Sequence, residues 1–407
     1  MASFETINQE RRSGRSSRSI AVVVAVLVAS SVSGSPWPDQ ATAAWSVTDV
    51  DVATVAPGLN LQVLQRRGTG SFAPRAVVDT PAGMFILDFG GWSKNRGSLV
   101  KTARTPGATR TILQRKLDRP HGMQIGPNES LLIGEVGAIQ TVALANPAAK
   151  RRFVSLPARP GAWKHPLTQF VIASDGSLLV NHGSVSDNCE GSKSATCAEA
   201  EGPKGAGVIL RYSVKNGLVS ASPSLHARGL RNSMAMVVHP TGTVIAAENS
   251  RDAIEDADPS LNGDELPHDE LNVIVAGSNY GWPYCFDAQR NAPEFRKYAC
   301  KSTVAPTVLL PAHSAPLGMT YWKRPADSNP ILVVALHGYR ATGQRLIGFA
   351  TNERGVPVGD SIELVRWKGE ADSADEVPGP VGLSVARDNA LLIADDRRGM
   401  ILELTAK

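Results

Sequence analysis

The chain has 407 residues, enough for one large β-domain or two ordinary ones with a sizeable core. Hydrophobic residues make up 42% and charged ones 20%, a balance that excludes a disordered chain. Part of the net charge of +4 comes from Arg11, Arg12, Arg15 and Arg18; the rest is near neutral, which leaves no electrostatic case for a nucleic-acid partner.

The first segment has the layout of a targeting signal. A basic stretch precedes the apolar run Ile20 to Ala29, and the small residues "ATAA" at 41–44 follow. That order is the one a secretory signal uses, and the run is short against the ~20 residues of a membrane span. An uncleaved anchor is the other reading of the same run. Residues 1–44 are therefore read as signal and linker, and 45–407 as one exported domain, periplasmic or secreted, with no membrane span after cleavage.

Past this segment a hairpin plan recurs. "VVDTPAGMFILD" (77–88), "MQIGPNESLLIGE" (123–135), "FVIASDGSLLVNHG" (170–183), "MVVHPTGTVIAAE" (236–248) and "LSVARDNALLIADD" (383–396) each place alternating apolar residues before a tight turn and an apolar run after it. The turns align at Gly83, Glu129, Gly176, Gly242 and Asn389. The wide gap before the last holds a sixth unit, "LGMTYWKRPADSNPILVVALHG" (317–338), with a longer turn. Outer strands are predicted at 97–103, 139–144, 207–214, 272–277, 345–351 and 400–406. The early strand "LQVLQRR" (61–67) is placed to join the last unit and close a ring, which removes exposed edges. No long amphipathic helix lies between the strands, so Rossmann and α/β-barrel folds are excluded. The prediction is an all-β, six-bladed propeller of four-stranded blades.

Two insertions interrupt the plan. One, near 187–205, holds Cys189 and Cys197; the other, near 252–269, is acidic, with Asp252, Glu255, Asp256, Asp258, Asp264, Glu265 and Asp269. Long loops on a rigid ring usually carry function. Four cysteines in an exported chain, close in sequence as Cys189 with Cys197 and Cys285 with Cys300, predict two local disulfides.

Polar residues opening the inner strands face the axis of a propeller. Those positions hold Arg75, His121, His165, and Arg231 with Asn232. A guanidinium there can hold a carboxylate and an amide can read a carbonyl, or Arg231 can instead make a rim salt bridge to the acidic loop. His165 is placed to take a proton near neutral pH, or to bond a neighbouring backbone; His121 has the same standing. His182 follows a strand pair and reads as structural.

"GLRN" at 229–232, "ELNVIVAGSNYGWPYC" at 270–285 and "HPLTQFVIASDGSLLVNHGSVSDNC" at 165–189 resemble the soluble PQQ-dependent glucose and sorbosone dehydrogenase family. "PHG" at 120–122, "LGMTYW" at 317–322, "LHGYRATGQRLIGF" at 336–349 and "LLIADDRRGMILEL" at 391–404 extend the likeness over nearly all of 75–405. The resemblance implies a periplasmic quinoprotein with pyrroloquinoline quinone (PQQ) and calcium. It implies oxidation of a sugar or polyol and a soluble electron acceptor such as a cytochrome. Carried over by motif, His165 is the base, Arg231 and Asn232 contact the quinone, and Arg340 in "LHGYRATG" is a further cofactor contact. The metal ligands are not read from the sequence. Two places depart from the family. The last inner strand opens Gly379-Pro380-Val381-Gly382 where an arginine is usual, and Arg251 follows the turn where the family holds its metal. Two other classes share the fold: a calcium-dependent lactonase-like hydrolase, needing acidic and amide ligands on the axis, and a non-catalytic propeller binding glycan or protein. Glu248 and Asn249 can contribute to the first, while Asp395 and Asp396 end the wrong part of their blade to be counted with them.

Overall fold

The computed structural model describes residues 46–47, 53–68, 70–157, 163–190, 195–202, 205–325, 327–368 and 377–407. The apolar run 20–29 and the "ATAA" stretch lie outside the described residues. The unit Asp39–Lys407 contains six antiparallel sheets arranged as blades. Blade 1 runs Pro74–Thr80, Gly83–Asp88, Gly97–Thr102, Thr111–Leu117, and blade 2 runs Met123–Gly126, Ser130–Glu135, Ala138–Ala143, Lys150–Ser155. Blade 3 is Phe170–Ile172, Leu178–His182, Val208–Tyr212, Ser224–Arg228, and blade 4 is Ser233–Val238, Val244–Glu248, His268–Val273, Val308–Ala312. Blade 5 is Pro316–Trp322, Ile331–Leu336, Arg345–Thr351, Pro357–Trp367. Blade 6 takes Pro380–Val385, Leu391–Asp395 and Met400–Ala406 from the C-terminal part of the chain, and Leu59–Gln65 from the N-terminal part. That last pairing, Leu59 opposite Ala406 and Leu61 opposite Leu404, closes the ring as expected. Just before it, Ala53–Val55 lies along the outer edge of blade 5, opposite Trp367 to Val365.

The core follows from strand alternation. Successive side chains point to opposite faces, so one strand serves two interfaces. In blade 1, Val77, Met84 and Ile86 pack toward blade 6 with Val381, Leu392 and Ile401. Their neighbours Val78, Phe85 and Leu87 pack toward blade 2 with Met123, Leu131 and Ile133. The same alternation recurs between blades 2 and 3, 3 and 4, and 4 and 5. All five aligned turn residues have positive φ: Gly83 124°, Glu129 50°, Gly176 80°, Gly242 90° and Asn389 70°.

One strand boundary differs from the reading above. The third strand of blade 4 is His268–Val273, not 272–277, because the chain turns out of the sheet after Val273 and reaches Gly277 at φ 81°. Asp269 therefore belongs to a strand rather than a solvated loop. It is buried and accepts hydrogen bonds from Ser250 N at 2.9 Å, Ala315 N at 2.7 Å and Ser314 Oγ at 3.0 Å. It ties blade 4 to the opening of blade 5.

Both disulfides form, Cys189–Cys197 and Cys285–Cys300. They meet in one small core with Tyr284 and Phe295, and Cys197 N donates to Tyr284 Oη at 2.9 Å. The two disulfide-bridged loops, one from blade 3 and one from blade 4, thus pack on each other.

Candidate active site

A repeated device fixes where each inner strand begins. The second strand of four blades ends in a buried carboxylate that accepts a backbone N–H from the segment entering the inner strand. Asp88 holds Ala73 N at 2.9 Å, Glu135 holds Asp118 N at 2.8 Å, Glu248 holds Asn232 N at 2.9 Å and Asp395 holds Gly379 N at 3.0 Å. Burial pushes Glu248 up to about 7 and Asp395 up to about 6, despite these bonds.

Inside these openings lies a cavity of about 220 Å³. Its polar lining is Arg75, Lys164, His165, Asn232 and His337, and its apolar walls are Trp92, Pro166, Leu167, Met234 and Leu317. Beneath it, Leu167 and Met234 pack on the buried Phe89. The structure thus gathers Arg75, His165 and Asn232 in one chamber, as their positions predicted.

His165 has a fixed tautomer. Its Nδ1 lies 3.1 Å from the Ser184 carbonyl and 2.8 Å from Ser184 Oγ. The carbonyl only accepts, and Ser184 Oγ already donates its proton to Ser186 O at 2.7 Å. Nδ1 must therefore carry the hydrogen, which leaves Nε2 with the lone pair. Burial first, and then the Arg231 cation, lower His165 to about 3, so the ring is neutral throughout the working range of a protein.

A buried ionic network flanks the cavity on the other side. Arg75 Nε pairs with Asp396 Oδ2 at 2.8 Å, and His337 Nε2 meets Asp396 Oδ1 at 2.9 Å. Arg397 Nη2 donates to His337 Nδ1 at 3.1 Å, and its Nη1 donates to Pro378 O at 3.3 Å. Since the guanidinium can only donate, His337 is the neutral Nε2–H tautomer. Its pKa is lowered, burial outweighing Asp396. Burial would raise Asp396, but Arg75 and His337 overcome it and hold this carboxylate well below its usual range. Asp396 therefore backs the chamber through Arg75 and His337, a place that its position at the end of its blade's second strand does not indicate. Strand pairing cannot reveal this, because its partners come from blades 1 and 5.

The last inner strand lacks an arginine for a steric reason. A Cβ on Gly379 would stand 2.7 Å from Asp396 Oδ1 and 2.8 Å from His337 Nε2. One on Gly382 would stand 2.4 Å from the Arg75 carbonyl oxygen. The guanidinium beside His337 is supplied instead by Arg397.

Arg231 takes the rim salt bridge. It is buried, donates from Nε to Asp187 O at 3.0 Å and from Nη1 to Asn249 O at 2.8 Å, and pairs through Nη2 with the Asp187 carboxylate. Asp252 of the acidic insertion lies 3.5 Å from the same nitrogen. Arg231 lines a separate cavity of about 30 Å³ with Glu248 and Glu270. Arg340 likewise reaches the acidic insertion, pairing with Asp264 at 2.6 Å, and is outside the lining of the larger chamber. Arg251 turns away from the Glu248–Ser250 turn to pair with Glu294 at 2.7 Å. His121 is buried beside Arg75, held at about 3 by burial and that cation, and its Nδ1 has no hydrogen-bond partner. His182 packs edge-on against Trp163 with centroids 5.1 Å apart, a structural place. Neither Trp92, in a loop, nor His337, just past a second strand, is marked by any pattern in the sequence.

Comparison with known proteins gives one family and one fold. No curated protein matches the chain. Two solved structures of the Trichoderma reesei Carbohydrate-Active Enzymes Family AA12 protein, an iodide and a calcium structure, are each 19% identical and match 89% of this chain and 99% of theirs, with TM-scores of 0.69 and 0.68. The holo form of the pyranose dehydrogenase PQQ domain from Coprinopsis cinerea matches at 16% identity over 87% of this chain and 97% of its own, TM-score 0.69. The apo soluble aldose sugar dehydrogenase from Escherichia coli matches at 16% over 86% of this chain and 100% of its own, TM-score 0.57. A family profile described as TrAA12-like matches residues 169–407, more than half of the chain, and the chain belongs to that family.

Proposed function

We propose that this protein is an exported quinoprotein dehydrogenase that oxidises a hydroxyl of a sugar or polyol, with PQQ and calcium as cofactors and a soluble acceptor such as a cytochrome. The observation that carries the proposal is the axial chamber, in which a neutral histidine of fixed tautomer shares walls with basic and apolar side chains. The family, and structural relatives named for PQQ, calcium, pyranose and aldose, support the same reading.

The donor set suits PQQ, a flat aromatic tricarboxylate. Arg75, ion-paired with Asp396, and Lys164, ion-paired with Glu190, still turn N–H donors to the chamber, Asn232 and His337 bring amide and imidazole groups, and Leu167, Met234 and Leu317 give apolar faces for a ring system. Bound there, PQQ supplies a two-electron quinone acceptor. His165 has the role of base: its Nε2 receives the proton of the substrate hydroxyl as the carbinol carbon gives up hydride and becomes a carbonyl carbon. Ser184 keeps the Nδ1–H pointed away, so the lone pair is presented on one side only. Arg231 serves the site from outside, by holding the insertions together. For calcium, the turn Glu248–Ser250 is the candidate region. Arg251 leaves it for Glu294, while Arg231 Nη1 donates to Asn249 O at 2.8 Å, so calcium there would have to displace that bond.

The test is a thermal titration of metal-stripped protein with PQQ, with and without calcium. Selective binding to the native state raises the midpoint, by about 2.7 kcal/mol of stability at a hundredfold excess over Kd. A calcium-dependent rise, followed by dye-linked turnover of sugars or polyols, is expected. No rise and no turnover would overturn the proposal in favour of a hydrolytic or non-catalytic propeller.

A further inference from the structure

Among the described tryptophans, Trp92 alone is exposed, at 62%. Trp282 and Trp322 are buried with their indole N–H groups donating to Asp187 O and Asn389 O. Trp92 instead stands in the loop between the second and third strands of blade 1 and lines the chamber that holds His165. It is not loosely placed. Its ring meets Phe89 edge-on, centroids 5.2 Å apart at 85°, and Phe89 is buried with the Arg75 guanidinium 4.5 Å above its ring. The loop is pinned beside it, because Asp88 Oδ1 accepts Gly90 N at 3.2 Å. Gly90 has φ 66°, and a Cβ there would lie 2.1 Å from Arg96 O. A large aromatic surface is thus held rigid and left open to water at the wall of an active chamber.

We propose that Trp92 is a stacking platform for a pyranose ring, and that the substrate class is a saccharide with mostly equatorial hydroxyls. Such a ring has a continuous face of C–H bonds, which an indole face matches and water solvates poorly. A pre-ordered platform binds without the cost of ordering the side chain on association. This inference rests on the dehydrogenase reading for the chamber, and it adds the ligand class and the residue that selects it. Tyr339, exposed to a similar extent at 61%, lies outside the chamber lining and has no such role.

The test uses Trp92→Ala and Trp92→Phe. Saturation-transfer NMR with methyl β-glucoside and cellobiose reads binding to the cofactor-free protein, and dye-linked kinetics with PQQ and calcium reads turnover. Trp92→Ala should raise KM for the sugar about tenfold with kcat changed less than about twofold, and should abolish the saturation-transfer signal; Trp92→Phe should fall between. The thermal midpoint of the cofactor-free variants should match the parent and so report intact folding. A parent enzyme that oxidises sugars while Trp92→Ala keeps the same KM and the same signal overturns the platform alone. Sugar binding lost in Trp92→Ala, in a protein that oxidises no sugar, keeps the platform and sinks the dehydrogenase. No binding and no turnover of any sugar by the parent removes both.

Discussion

The two sides of the ring use their arginines differently. On the side of blades 3 and 4, Arg231 is consumed by protein partners: Asp187, Asn249 and Asp252. Two disulfides and the Tyr284 cluster lock the same loops. On the side of blades 5, 6 and 1, Arg75 also has a carboxylate, Asp396, yet it lines the chamber together with His337. An arginine that opens an inner strand can therefore face either the loops above the ring or the space on its axis. What decides is whether a carboxylate from an insertion reaches it. Arg231 is reached by Asp187 from the insertion of blade 3 and by Asp252 from that of blade 4, whereas the carboxylate that reaches Arg75 is Asp396, at the end of a blade 6 strand.

The largest expected effect falls where neither side can substitute for the other. His165→Ala should lower kcat by about a thousandfold or more, within the range of general-base losses, while the midpoint rise on adding PQQ persists. Full activity in this variant would remove His165 as the base. A titration of the cofactor-free protein by NMR should also show the His165 ring staying neutral down to about pH 3, because burial and Arg231 both disfavour the imidazolium. An ordinary midpoint near 6.5 would show that the ring is more hydrated than its surroundings here indicate.

Paired truncations sharpen the comparison itself. Arg231→Ala leaves the Asp187 carboxylate buried without its cation, and Asp396→Ala does the same to Arg75. Removing one member of a buried pair costs about 3–5 kcal/mol, so both variants should unfold at clearly lower denaturant. They should part on cofactor affinity. Arg231→Ala weakens PQQ binding only through loosened loops, whereas Asp396→Ala alters the chamber wall directly. If Arg231→Ala keeps its stability and loses only PQQ affinity, Arg231 is a direct ligand and the contrast between the two sides fails.

The hairpin repeat is legible because the second strand of every blade is buried along almost its whole length, which leaves a continuous apolar run after each turn. The fourth strands were not legible: Lys150–Ser155 is largely exposed and reads "KRRFVS", with no apolar face to mark it. The closing strand could be read because Leu59, Leu61 and Leu64 alternate into buried places. His165 and Asn232 were found by position, since an inner strand has to open at the axis. Asp396 and His337 escaped because their geometry depends on three blades meeting, which no local pattern encodes. The carboxylates ending "FILD", "LIGE", "IAAE" and "IAD" share a role that the sequence alone does not express, since each holds an N–H of the segment entering its own inner strand.

Those carboxylates give a pH signature on the blade 4 side. Glu248 rises from 4.5 to about 7 on folding, chiefly by burial, and Glu270 and Asp269 beside it are raised as well. The folded protein then binds more protons than the unfolded chain between these values, so stability is full below about pH 4.5 and is lost as pH rises through about 7. For Glu248 alone the loss is about 3 kcal/mol, at roughly 1.4 kcal/mol per unit. Denaturant midpoints measured between pH 4.5 and 7.5 should fall with rising pH, and Glu248→Gln should flatten the slope. An unchanged slope would mean that Glu248 is ionised in the folded protein, with Arg231 as its counter-charge.

The smallest effect tests how the base is aimed. Ser184 offers His165 two acceptors, its carbonyl at 3.1 Å and its hydroxyl at 2.8 Å. Ser184→Ala removes only the hydroxyl, so the carbonyl still holds the proton on Nδ1 and the tautomer survives. The loss should be about the worth of one neutral hydrogen bond, near 1 kcal/mol, and appear as a fall of several-fold in kcat with KM little changed. Ser184→Thr keeps the hydroxyl and should restore most of the rate. A collapse in Ser184→Ala as deep as that of His165→Ala would mean that the hydroxyl, not the carbonyl, fixes the ring. The base would then depend on a rotatable group, and the backbone of blade 3 would have no direct part in presenting Nε2.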